Sequence, residues 1–272
     1  MPETYLRLGD EIIYIRHNRI RSGRLALLFL HGLGDSGLTF RWVFDDDRFD
    51  DFNLIVLDLV GYGRSSGAVG EDNYAFDHQI RRLGEIIERF RVGELLLIGH
   101  SMGGDIATLM CQADTDGLTK KIVNVEGALT QYDLFLSGKA ARAVEEGRFD
   151  DWFDEFINET AWSWGEIPSG RDYYASLRFC RRDAFRENAL EIARRNTALS
   201  GAYRSQIGEL FGSLKIPRVF CYGTESLPKE TLAYVKEKNI PARAFEGSGH
   251  CPQIDLADEF YDFLYHFITE GS

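Results

Sequence analysis

No apolar run in this 272-residue chain approaches the roughly 18 residues that a membrane-spanning helix needs, so a bilayer is not the expected setting. Cysteine is scarce. Cys111, Cys180, Cys221 and Cys251 have neither close pairing nor zinc spacing, which leaves reduced thiols as the expectation. No cluster of His, Asp or Cys has ligand spacing, so neither a metal nor a cofactor is expected. Positive charge is the minority: 31 Lys and Arg against 43 Asp and Glu give a net charge of -12. That balance repels phosphate backbones and argues against nucleic acid as a partner. The first ten residues lack the basic start and apolar core of a secretory signal, and the cytoplasm is the expected location. Internal repeats, low-complexity tracts and flexible linkers are also missing.

What is present is an ordinary globular composition, 44% hydrophobic and 27% charged, long enough for one large α/β domain carrying an insertion. Two strand-like runs, 5–8 and 11–16, flank Gly9-Asp10, a two-residue turn suited to a hairpin. Residues 25–30 and 54–57 are apolar without alternation, as expected of strands buried on both faces. Between 75 and 90 the apolar positions Phe76, Ile80, Leu83, Ile86, Ile87 and Phe90 follow helical spacing. Further strands are read at 95–98, 122–125, 218–222 and 242–245, with helices at 102–113, 229–238 and 258–269. Alternating strands and helices imply a parallel sheet with right-handed crossovers. From 128 to 205 strand-like runs disappear, and charged, aromatic-rich helical stretches take over. Trp152, Phe153, Phe156, Trp162, Trp164, Tyr173, Tyr174 and Phe179 fall here, and most are expected to fill that segment's own core.

The chemistry centres on Gly99-His100-Ser101-Met102-Gly103-Gly104. A buried strand, then G-x-S-x-G, then a helix is the sequence form of a nucleophile elbow. The turn is too tight for bulky neighbours, hence the flanking glycines, and it holds Ser101 above the sheet. The Met102 amide opens the helix, so a developing oxyanion can meet an N–H donor and the positive end of a helix dipole. A serine hydroxyl is protonated at neutral pH and needs a base in reach, for which histidine suits best. Of the six histidines, His250 is the candidate: it follows a strand and Gly247-Ser248-Gly249 near the C-terminus.

His31-Gly32-Leu33-Gly34, Asp58 with Gly61-Tyr62-Gly63-Arg64-Ser65, the 99–104 hexapeptide and Gly249-His250 together resemble the α/β-hydrolase superfamily. The resemblance covers nearly the whole chain outside the insertion. It implies the α/β-hydrolase fold, a mostly parallel central sheet with helices on both faces and a helical cap, with residues 1–127 and 206–272 as the core and 128–205 as the cap or lid. It also implies the second oxyanion donor, the amide of Leu33, and the chain order Ser, acid, His. The acid departs from the family's commonest form. Where members often carry Gly-x-x-Asp after the penultimate strand, this chain reads Gly223-Thr224-Glu225-Ser226. Other members take the acid from the end of the preceding strand, where Glu126 stands. Either carboxylate could orient the imidazole, and position favours Glu126. His31 and His100 read as structural members of their loops, with His100 on the pocket floor.

The resemblance implies a serine hydrolase that acts on a small hydrophobic ester or lactone through an acyl-enzyme on Ser101. Carbon–carbon bond hydrolases and thioesterases use the same constellation, and a ligand-binding or receptor-like protein on this fold is a further alternative. A homodimer is compatible with every one of these. One rival reading comes from the residues themselves. Gly32-x-Gly34-x-x-Gly37 after a strand, with Asp58 about twenty residues on, formally satisfies a dinucleotide-binding fingerprint. It begins with His-Gly, sits behind an antiparallel hairpin, and leaves Ser101 and His250 without a purpose.

Overall fold

The computed structural model describes residues 2–70, 74–163, 165–197 and 205–270. In chain order the regular elements are β1 (Glu3–Leu8), β2 (Glu11–His17), β3 (Ala26–Leu30), β4 (Asn53–Leu57), α1 (Phe76–Arg89), β5 (Leu95–His100), α2 (Met102–Ala113) and β6 (Thr119–Val125). Four helices follow without a strand: α3 (Phe135–Glu145), α4 (Phe149–Ser163), α5 (Pro168–Leu177) and α6 (Arg182–Asn196). The alternation then resumes with α7 (Gln206–Ser213), β7 (Arg218–Gly223), α8 (Lys229–Glu237), β8 (Ala242–Phe245), α9 (Pro252–Asp255) and α10 (Ala257–Thr269). Short 3-10 helices span Gly37–Asp45, Asp47–Phe49 and Gln131–Asp133. No helix among the described residues is long and apolar enough to cross a membrane.

The eight strands form one sheet in the order β1-β2-β4-β3-β5-β6-β7-β8. The β1–β2 and β2–β4 pairs are antiparallel, and the other five pairs are parallel. Leu8 pairs with Glu11 across the expected two-residue turn, whose Gly9 has φ 58. This is the α/β-hydrolase fold that the motifs implied. The apolar runs without alternation behave as their composition required, because β3 and β4 are buried along their whole length. Successive side chains point to opposite faces. Leu28, Leu30, Ile55, Leu57, Leu95 and Leu97 pack against α1, α2, α7 and α8. Leu27, Phe29, Leu54, Val56, Leu96 and Ile98 pack against α10 and the two 3-10 segments between β3 and β4.

Chain order along the sheet reverses between β3 and β5. The connection from β3 to β4 runs over one face, through Phe40 and Val43, and the return through α1 runs over the other. Such a reversal leaves a crevice beyond the carboxyl ends of the two strands. The loop after β3 and the turn after β5 both lie there.

Several aromatics of the strandless segment stack on one another as expected: Phe149 on Phe153 at 5.6 Å, Trp152 on Phe156 at 5.3 Å, Phe153 against Phe185 at 5.0 Å. Phe179 departs from this and is 71% exposed. Trp164 and the side chain of Trp162 lie outside the described residues. The sequence reading did not anticipate α7, α9 or the 3-10 segments, which at three to nine residues are too short to develop a clear apolar period.

A buried ion pair clamps the hairpin to the sheet's helical layer. Arg82 of α1 donates to both oxygens of Glu11 at 2.6 and 2.5 Å, and Arg82 is 1% exposed. Removing one partner leaves an uncompensated buried charge, so Arg82→Met should cost about 3–5 kcal/mol in urea unfolding. Glu11→Gln/Arg82→Met should recover part of that loss. Additive losses would mean that the two side chains are not coupled.

Candidate active site

Ser101 occupies the turn between β5 and α2 with φ 51 and ψ -122, a backbone conformation that non-glycine residues rarely adopt. The surrounding chain is packed so closely that side chains cannot enter. A Cβ on Gly99 would overlap the Gly103 carbonyl, and one on Gly103 would overlap the Leu30 carbonyl at the end of β3. The strain at Ser101 is therefore held by close backbone packing on both sides. The loop after β3 crosses directly beside it, since a Cβ on Gly32 would sit 3.1 Å from Ser101 Cβ.

Sheet register brings the next residues to the same rim. The Ser101 amide donates to the Val125 carbonyl at 2.8 Å, and the Glu126 amide donates to the Cys221 carbonyl at 3.0 Å. Glu126 itself has φ 53, and its side chain is 4% exposed. Its Oε2 accepts from His250 Nδ1 at 2.7 Å. Its Oε1 accepts from the Gly223 amide at 2.7 Å and from the Ser226 hydroxyl at 2.5 Å. With Nδ1–H committed to the carboxylate, the Nε2 lone pair of His250 is left as the acceptor. Glu225, the alternative carboxylate, is exposed, and its amide is spent on the Ser248 carbonyl at 3.0 Å.

A cavity of about 570 Å³ opens over these groups, and Ser101, His250, Glu126, Leu33 and Met102 all line it. Among the described residues no acceptor takes the amide of Leu33. Met102 begins α2 and has no preceding helical turn to bond. The apolar wall includes Phe135, Leu136, Ile167, Ile192 and Leu227, with the Phe135 ring edge-on to His250 at 5.5 Å. Among the described residues no lysine or arginine lines the cavity, whereas Asp35, Asp105, Asp133 and Asp255 do.

Burial governs the charge state of these groups. It pushes Asp35 up to about 7 and Asp105 up to about 8, and raises Asp133. It also holds His100 well below the usual histidine range, with the adjacent His250 acting in the same direction. His100 is thus neutral. Its Nε2 donates to the His250 carbonyl at 3.0 Å, which fixes the loop carrying His250. His31 is structural as expected, with its Nδ1 on the Gly32 carbonyl at 2.8 Å and its Nε2 accepting the Leu59 amide at 3.0 Å.

The dinucleotide fingerprint dissolves in three dimensions. Asp58 accepts the Gly37 and Arg64 amides, each at 2.8 Å, and is buried, so its carboxylate braces two loops and does not face a ribose site.

Sequence reasoning missed the cavity's aspartates and the contacts of α5. Tyr173 donates to the Leu33 carbonyl at 2.9 Å, and Asp255 accepts the Ser169 amide and hydroxyl at 3.1 and 2.8 Å. No local pattern marks such residues. Ser226 alone had a signal, as the serine at a position where an acid is common.

Residues 26–255 match the model of the family described as alpha/beta hydrolase fold, and the chain belongs to that family. Among curated relatives, 2-succinyl-6-hydroxy-2,4-cyclohexadiene-1-carboxylate synthase of Salmonella typhimurium is 24% identical over 245 residues, 88% of this chain and 92% of that protein. The putative enzyme of the same name from Bacillus subtilis is 33% identical over 107 residues, a match that spans 39% of this chain and 38% of that one. Among solved structures, the esterase EaEST from Exiguobacterium antarcticum superposes with a TM-score of 0.74 at 18% identity, covering 98% of this chain and 99% of that one. At that identity the likeness establishes the fold.

The buried aspartates make stability depend on pH. Folded Asp105 keeps its proton to about pH 8, whereas an unfolded aspartate releases it near 3.9. Stability must then fall as pH rises between those values. Asp105→Asn cannot ionise, so between pH 5 and pH 8 the wild type should lose roughly 4 kcal/mol relative to it in urea unfolding. Parallel pH profiles for the two proteins would mean that Asp105 is ionised in the folded state.

Proposed function

We propose that the protein is a serine hydrolase cleaving a neutral carboxylic ester or lactone with a hydrophobic group, through an acyl-enzyme on Ser101. The observation that carries this reading is the 2.7 Å contact between His250 Nδ1 and Glu126 at the wall of a cavity that Ser101 also lines. His250 Nε2 takes the proton of the Ser101 hydroxyl as that oxygen attacks the carbonyl carbon. Glu126 holds the tautomer and stabilises the imidazolium. The charge developing on the carbonyl oxygen meets the amides of Leu33 and Met102 and the N-terminus of α2. As the tetrahedral adduct collapses, His250 returns the proton to the departing alcohol. Water then repeats the sequence on the acyl-enzyme, and the acid leaves.

In this reading residues 128–205 form a cap over the catalytic core, and α3 and α5 supply much of the cavity wall. The choice of a neutral substrate rests on the absence of a lysine or arginine from the described wall. The curated relatives are named for a carboxylate product, but a substrate carboxylate entering this cavity would meet no cationic side chain among the described residues, and burying an unpaired charge is unfavourable. Apolar side chains around the opening favour an acyl or alcohol group of medium size.

Ser101→Ala should abolish turnover and leave the melting temperature nearly unchanged. Glu126→Gln should lower kcat by about 10⁴-fold, while Glu225→Gln should have little effect. In a panel of esters with graded acyl length, neutral medium chains should outrun short chains and half-esters of dicarboxylic acids. Wild-type rates in Ser101→Ala would end the proposal. The opposite ranking of the two glutamates would move the acid to the turn after β7.

A further inference from the structure

We infer that Ser226 is a positioning residue for Glu126. This deepens the reading of Ser101, His250 and Glu126 given above and rests on it. A glutamate carboxyl turns about its last bond in a broad, two-fold manner, so presenting one oxygen to His250 requires that the other be held. Two donors hold Oε1: the Gly223 amide at 2.7 Å and the Ser226 hydroxyl at 2.5 Å. The Gly223 carbonyl is a poorer acceptor for that hydroxyl at 3.3 Å, so the proton goes to the carboxylate. The need is greater because Glu126 leaves the chain at φ 53, outside the extended geometry that would aim a strand side chain by itself.

The test is kcat and KM on one neutral ester, with melting curves, for three variants of the full chain. Glu126→Ala should lose about 10³–10⁴-fold in kcat. Ser226→Ala should lose about tenfold in kcat, with KM unchanged, because a hydrogen bond to a buried carboxylate is removed. Ser226→Thr, which keeps the hydroxyl, should retain the wild-type rate. A wild-type kcat in Ser226→Ala, or equal losses in Ser226→Ala and Ser226→Thr, would overturn the positioning role. Full activity in Glu126→Ala would refute the catalytic reading itself, whereas its loss beside an indifferent Ser226→Ala would refute the inference alone.

Discussion

A carboxylate buried at the rim of a sheet must be surrounded by donors, and the arrangement of this site follows from meeting that requirement at Glu126. Desolvating the charge without partners is prohibitively unfavourable. The three donors that satisfy it come from three places: the end of β7, the turn after it, and the loop after β8 that carries His250. Each bond that stabilises the charge also fixes a segment of the rim. Solvation of one group and orientation of the histidine are thus achieved by the same contacts.

The opposite wall is built by exclusion of side chains. Gly99 and Gly103 let β5, α2 and the end of β3 approach until their backbones touch, and that proximity holds Ser101 in its strained conformation. The reversal of chain order between β3 and β5 then leaves room above the strand ends, and the helices inserted after β6 wall that room with apolar side chains. Acidic groups inside it are tolerated because burial keeps Asp35 and Asp105 protonated further up the pH scale, and because backbone amides take up several of their oxygens. The result is a cavity walled largely by apolar side chains.

Much of this was legible in the sequence. The hairpin, the buried strands, the elbow and the C-terminal histidine each announce themselves within a few residues, since alternation, glycine spacing and helix periodicity are local consequences of backbone geometry. The rival reading of Gly32, Gly34 and Gly37 with Asp58 used the same kind of local spacing, and only the contacts of Asp58 exposed it as a loop brace. Asp35 and Asp255 carried no mark at all, because their roles arise from neighbours that are remote in the chain.

The identity of the carboxylate shows where the division falls. By itself the sequence determined the strand–turn–helix around Ser101, the apolar order of the strands and the presence of two candidate acids, since these depend on residues adjacent in the chain. Only the tertiary structure decided that Glu126 meets His250, 124 residues away, and that Ser226 serves it in place of an acid. A hydrogen bond acts over about 3 Å. Whether two distant residues come that close is set by the register of β6 on β7, where Val125 pairs with Cys221, and that register is fixed by the packing of the whole sheet.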